Sequence, residues 1–323
     1  MKKILIIMHN YAEIPDLIKK NLTYLGYKNI DFIFFTEENF KYDKWSQKIT
    51  NFYRKTFLKD KTYKEKLKSA FIETTLIQKA QNLSHYETIV VMNTDFFSDH
   101  FLTIIRTKTK NLVGNHWDGL SRTPQIYSKI IYFDKFFVFD KNDVDESKNI
   151  YFLTNFFFDF DKDKKSRIIE QDVFYLGTFV KERFNTLQNL SKIFTQKGIS
   201  HKIVLFDWQK RPSEETIIFS NKFIAYEENI SYVKKSKALL DLKLKDHNGL
   251  SFRFFEALHY NKKLITNNSD IKNYDFYRKE NIFVIGEDMK EDLKSFIESP
   301  YQIIPANIKN KYSFENWFKT LIS

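Results

Sequence analysis

The chain has no cysteine in its 323 residues. That excludes a disulfide framework and every thiolate metal centre, zinc-finger spacings included, and leaves the compartment open. No run approaches the ~18 apolar residues of a membrane-spanning helix. The first apolar run, Ile4–Met8, falls short of the ~7–15 residues of a secretory core, and no small-residue cleavage site follows it. It reads as a first buried β-strand. A cytoplasmic protein is expected, peripheral at the inner face of the cytoplasmic membrane. Glycine (7) and proline (5) are scarce, and no internal repeat or low-complexity segment is visible.

What is abundant is positive charge and phenylalanine. Fifty-two basic residues against 41 acidic ones give a net charge of +11 and a pI near 9.3. Such a balance favours acidic partners: sugar nucleotides, anionic glycolipids, an anionic membrane surface. The competing reading is a lysine-rich solvated face. No RNA- or DNA-binding module accompanies the charge, so nucleic acid is not an expected partner. The 34 phenylalanines accompany abundant Lys, Asn and Ile and read as composition bias, not as a binding feature.

Along the chain, short apolar runs alternate with helical periodicity, the pattern of an α/β protein with parallel sheets. Expected strands in the first half are Lys3–Met8, Ile30–Thr36, Thr88–Met92, Leu112–Asn115, Lys135–Phe139 and Ile150–Leu153. Helices are expected over Pro15–Leu25, within residues 40–85, and over His100–Thr107. The stretch Asp159–Arg167 is charged and without period, as linkers are. A second α/β unit then opens with strands Asp172–Gly177, His201–Phe206, Phe223–Ala225, Ala238–Leu244, Lys263–Thr266 and Asn281–Ile285. Its helices are expected over Arg183–Lys197, Ile230–Ser236, Leu250–His259 and Met289–Glu298. Phe314, Trp317, Phe318 and Leu321 share one face of a last helix. The domains are therefore expected at 1–165 and 166–308, with 309–323 a terminal helix.

The most informative stretch runs from Leu239 to Leu258. It reads as strand, polar turn, helix, and the strand Lys263–Thr266 completes a βαβ unit. The turn then lies at a strand's carboxyl end, where open α/β sheets bind ligands, and the N–H groups of the helix N-terminus favour an anion there. Gly249, Leu250 and Ser251 would offer those amides, with no Cβ at Gly249 to obstruct a phosphate. The bland alternative is an ordinary Asn-Gly turn. In the first half, Asn93-Thr94-Asp95 and His116-Trp117-Asp118 also follow expected strands, as does His9-Asn10. Asp95, His116 or Asp118 could take a proton from a hydroxyl there. Equally, a lone histidine packs in a core and an aspartate caps a helix.

The segment Gly249-Leu250-Ser251-Phe252-Arg253-Phe254-Phe255-Glu256-Ala257-Leu258, followed by Lys263-Leu264-Ile265-Thr266, resembles the nucleotide-sugar-binding segment of GT-B glycosyltransferases. The likeness is greatest to bacterial lipopolysaccharide and capsule biosynthesis transferases. Asp172–Arg183, Trp117–Arg122 and Tyr274–Tyr277 fit the same subgroup. The resemblance implies two Rossmann-like domains with a cleft between them and a C-terminal helix packing back on the first. The donor docks on the second domain and the glycan or lipid-linked acceptor on the first. It implies that the Gly249–Ser251 turn meets the donor diphosphate and that Glu256 accepts ribose hydroxyls. Arg253, Lys181 and Arg183 are the implied countercharges, and Asp246, His247 and Asn248 form a polar cluster where the donor sugar would lie. Many retaining members carry an acid seven or eight residues before the glutamate, where this chain has Gly249 and Asn248; the nearest acid is Asp246. Retention is still the slight preference. Asp159-Phe160-Asp161 has the spacing of a metal-binding Asp-x-Asp motif but falls in the linker, so no metal or other cofactor is expected beyond a nucleotide-sugar substrate, UDP- or GDP-linked before CMP-linked. The rival readings are a CMP-sugar-dependent transferase and a catalytically silent glycan- or nucleotide-binding protein.

Overall fold

The structure is a computed structural model that describes residues 3–10, 13–36, 39–162, 168–244 and 248–323. Its first half is a six-stranded sheet of β1 (Ile4–His9), β2 (Ile30–Phe35), β3 (Tyr86–Met92), β4 (Thr109–His116), β5 (Lys135–Val138) and β6 (Ile150–Phe152), in the order β2-β1-β3-β4-β5-β6. Every pairing is parallel. Helices α1 (Ile14–Tyr24), α2 (Trp45–Phe57), α3 (Thr62–Gln81) and α4 (Asp99–Arg106) make the crossovers. The second half repeats the plan with β7 (Gln171–Thr178), β8 (His201–Phe206), β9 (Ile217–Ser220), β10 (Ser236–Asp241), β11 (Lys263–Thr266) and β12 (Ile282–Val284), in the order β12-β11-β10-β7-β8-β9. These pairings are parallel too. Its helices are α5 (Lys181–Gln196), α6 (Tyr226–Lys234), α7 (Phe252–Tyr260) and α8 (Leu293–Glu298).

A parallel sheet is covered on both faces, so its central strands are apolar throughout. Ile89, Val90 and Val91 are fully buried in the first sheet, as are Ala238, Leu239 and Leu240 in the second. Each sheet changes winding direction at one place, between β1 and β3 and between β7 and β10. Crevices at such switch points are where doubly wound sheets take ligands.

After α8 the chain continues through α9 (Ala306–Asn310) to α10 (Phe314–Leu321). The Ser313 hydroxyl caps α10 by accepting from the Asn316 amide. Its buried face, Phe314, Trp317, Phe318 and Leu321, packs with Ile4, Ile6, Met8 and Leu17 of the first half. The last helix thus returns to the first domain, as the GT-B resemblance implies.

Two expectations are revised. Phe223–Ala225 is not a strand: the edge of the second sheet is β9, and Phe223 instead sets its ring on Phe206 at 5.5 Å. The Asp159–Arg167 stretch is not simply a solvated linker. Asn21 donates to an Asp159 carboxylate oxygen (3.2 Å), and the Glu315 amide donates to the same oxygen (2.9 Å). Asp161 accepts from the Tyr260 hydroxyl (2.8 Å) and pairs with Lys234 (2.8 Å). Residues 163–167 of the stretch lie outside the described residues.

Candidate active site

On the second domain the site is built at the carboxyl end of β10. The chain leaves at Asp241 and turns into α7, whose N-cap is Ser251. The Ser251 hydroxyl accepts from the Arg253 amide (3.3 Å) and donates to the Asp241 carboxylate (2.6 Å). That fixes the first turn of α7 against the strand. Asn248 accepts from Lys243 Nζ (3.4 Å), and its carbonyl accepts from the Asn268 side chain (3.3 Å). Asp246 and His247 lie outside the described residues.

The glycine answers to a neighbour. A Cβ on Gly249 would meet the Phe139 ring at 2.2 to 2.8 Å. In this arrangement the space attributed above to a phosphate is filled by a side chain of the first domain.

The basic candidates differ in what they hold. Arg253 donates to the Leu240 carbonyl (3.1 Å) and the Leu176 carbonyl, bracing the carboxyl ends of β10 and β7 at the switch point. Arg183 donates more weakly to the carbonyls of Leu242 and Thr178, both at 3.3 Å. Lys181 opens α5 and is exposed. Glu256 is buried, accepts from Asn229 Nδ2 (3.1 Å), and has its pKa raised by burial against the opposing pull of Arg253.

The first domain contributes the ends of β3 and β4. Asn93 adopts the left-handed conformation (φ 52°), which asparagine tolerates, and its side chain accepts from the Trp117 amide (3.2 Å). That ties the two loops together. Asp95 Oδ1 lies 3.9 Å from His116 Nδ1. Burial pushes the Asp95 carboxyl up and the His116 imidazole down to about 4. His116 is 2% exposed, so it is a neutral imidazole inside the domain, out of an acceptor's reach in this arrangement. Asp118 accepts from the Gly119 amide (2.8 Å) and pairs with Arg122 (3.0 Å). The Asp95 and Asp118 side chains keep partial access, 26% and 35%. His9, at the end of β1, stacks on Phe96 beside Asp95 (4.9 Å).

These two halves face each other. Trp117 meets the Phe252 ring of α7 edge-on at 5.5 Å, and the buried Asn155 side chain donates to the Leu250 carbonyl at 2.9 Å. Between them is a cavity of about 160 Å³ lined by Asp140, Lys141, Asn142 and, across the cleft, Asn248, Gly249 and Asp270, with Tyr274 at its wall. Lys141 sits over the Tyr274 ring at 4.3 Å. Burial pushes the Tyr274 phenol up to about 12.

Asp140, Lys141 and Lys243 were not singled out from the sequence. Their signal was available: Asp140 follows β5, and Lys243 follows β10, by the same two residues that separate Asp118 from β4, and Lys141 comes next after Asp140. Among the described residues no group of three or more His, Asp or Glu is placed to hold a metal ion.

Two parallel six-stranded sheets with their carboxyl ends opposed across a cleft, and a last helix returning to the first, define the GT-B fold. No family model matches the chain, and no curated protein is similar to it in sequence. Among solved structures, the chain is similar to the lipopolysaccharide outer core galactosyltransferase WaaB, with a TM-score of 0.55 at 14% identity over 98% of this chain and 97% of that one. It is also similar to a trehalose 6-phosphate synthase from Burkholderia multivorans, with a TM-score of 0.59 at 8% identity over 100% and 96%. At these identities the likeness is one of fold.

Proposed function

We propose that this protein is a glycosyltransferase that moves a sugar from a nucleotide-sugar donor to a glycan or lipid-linked acceptor in bacterial surface polysaccharide synthesis. The observation that carries the reading is the polar cleft where the carboxyl ends of both sheets and the N-terminus of α7 meet. The proposed domains are 1–165 for the acceptor and 166–308 for the donor, with 309–323 as the returning helix. The donor diphosphate sits at the Gly249–Ser251 amides, with Lys181 and Arg183 as countercharges. Arg253 acts by holding β7 and β10 in register. Glu256 takes the ribose, and Asp246, His247 and Asn248 surround the donor sugar.

In the reaction the bond from the anomeric carbon to the diphosphate oxygen breaks, and a bond to the acceptor oxygen forms. The negative charge that develops on the leaving diphosphate is met by fixed amides and cations, which need no reorganisation when it appears. No metal is required for that task. With inversion, Asp118 or Asp95 takes the acceptor proton; His116 is too deeply enclosed to do so directly. With retention, the favoured outcome, the leaving diphosphate takes it.

A ligand pocket for a molecule of this size is ~300–1,000 Å³, so the domains must part, withdrawing Phe139 from Gly249, before the donor enters. Isothermal titration with UDP-, GDP- and CMP-sugars, followed by a turnover assay with the sugar that binds, tests the proposal. Binding of a UDP- or GDP-sugar with turnover is expected. Binding without turnover on any glycan acceptor identifies a silent binding protein, and binding of none refutes the donor site.

A further inference from the structure

Helix α2 is amphipathic in the inverted sense. Trp45, Ile49, Phe52, Tyr53 and Phe57 recur at helical spacing along one face. In a globular protein such a face normally turns to the core. Here no residue of α2 is buried, and the apolar face is the outward one: Trp45 is 78% exposed, Phe52 65% and Phe57 68%. The polar face is turned to the protein instead. Gln47, Thr50, Asn51 and Arg54 are half-buried. Arg54 pairs with Asp60 (3.5 Å) and lies over the Tyr63 ring. An apolar patch of this kind marks an interaction surface.

Charge identifies the partner. Residues 41–61 carry seven basic side chains and two acidic ones, and α2 itself carries Lys48, Arg54 and Lys55 with no acid. Lys48 and Lys55, each one turn from Phe52, border the apolar arc. A second copy docked through the same face would set these cations against their own counterparts. An anionic lipid surface accepts both features together: aromatic rings seat at the headgroup boundary and lysines among the phosphates.

We infer that α2 docks this protein on an anionic bilayer, with Trp45, Ile49, Phe52, Tyr53 and Phe57 inserted and Lys48 and Lys55 at the headgroups. In chain order α2 follows β2, whose carboxyl end lies at the same end of the sheet as His9 and His116. The inference does not rest on the donor reading and is tested without substrates.

The experiment is co-sedimentation of the full chain with vesicles of phosphatidylcholine alone or with phosphatidylglycerol, alongside sedimentation velocity without lipid. Binding to the anionic vesicles only is expected. Phe52→Ser with Phe57→Ser, and separately Lys48→Glu with Lys55→Glu, should each lower the bound fraction at least tenfold and leave the melting temperature unchanged. Absent binding by the wild type, or undiminished binding by the Phe52→Ser/Phe57→Ser variant, overturns the inference. So does a concentration-dependent dimer that the same variant dissolves, with no binding to vesicles; the face would then belong to a second copy.

Discussion

Gly249 carries a different constraint from the one its neighbourhood in sequence suggests. The Asn-Gly turn before a helix is readable, and so is the anion-favouring N-terminus it opens. What cannot be read is Phe139, 110 positions earlier, whose ring takes the place of the missing Cβ. Gly249→Ala is therefore expected to destabilise the protein by ~1–3 kcal/mol through overpacking, measured by urea unfolding. Phe139→Ala in the same chain should remove most of that penalty. If the glycine also serves a phosphate, the double variant regains stability without regaining donor affinity. Glu256 was legible by position, seven residues after the glycine and among apolar neighbours, but its bond to Asn229 was not, because that partner comes from α6. Burial raises its folded pKa above the ordinary 4.5, so the stability tied to its protonated form is complete below pH 4.5 and is lost as pH rises through the folded value. Glu256→Gln keeps an acceptor for Asn229 and has no charge to desolvate. Its melting temperature should equal or exceed that of the wild type at pH 7, with the gap closing in acid, while donor affinity falls at least tenfold. Unchanged nucleotide affinity in this variant would remove Glu256 from the ribose site.

At the scale of elements, the central strands and long helices were the legible part. Period-two and continuous apolar runs are local, and β8 and β11 fall on the residues expected from them, His201–Phe206 and Lys263–Thr266. Phe223–Ala225 failed because three apolar residues satisfy a strand pattern equally well when one of them is packing sideways onto Phe206. The last helix was legible as an amphipathic segment, and its partner came from the resemblance rather than from its own residues. The phenylalanines read as composition bias are used in packing here. Phe156 meets Trp317 at 4.4 Å, Phe314 at 5.0 Å and Phe252 at 5.2 Å, joining α10, α7 and the end of the first sheet. Trp317→Ala should accordingly cost ~3–5 kcal/mol in urea unfolding, the range for emptying a buried aromatic site. Trp45→Ala, on the exposed face of α2, should stay within ~0.5 kcal/mol of the wild type. Equal effects of the two would contradict the packing of α10 on the first domain.

At the scale of the whole molecule, doubly wound architecture follows from alternation of strands and helices, but the opposition of two such units across a cleft is a long-range fact. It depends on contacts such as Asn155 to Leu250, 95 positions apart, and Trp117 to Phe252, still farther apart in the chain. The cations near the strand ends also come from distant segments: Lys141 from the first domain, Arg183 and Lys243 from the second, with Lys181 exposed at the start of α5. Most of the net +11 is spread over the surface and screened beyond ~10 Å at 0.1 M salt. Of the four cations, Lys141 lines the cavity itself, Lys243 reaches Asn248 on its wall, and Arg183 is held at the carboxyl ends of β7 and β10; near a low-dielectric wall such charges are screened less than on an open surface. Under the proposed function, these cations and the α7 N-terminus would meet the charge of the leaving diphosphate without a divalent ion. Turnover in excess EDTA should remain within about twofold of the untreated rate, a change of less than ~0.5 kcal/mol in the barrier. Lys181→Ala combined with Arg183→Ala should lower kcat/KM at least a hundredfold with the melting temperature preserved. Complete loss of turnover on chelation, restored by Mg²⁺ or Mn²⁺, would show that the cations of the cleft are not sufficient and that a metal carries the leaving group.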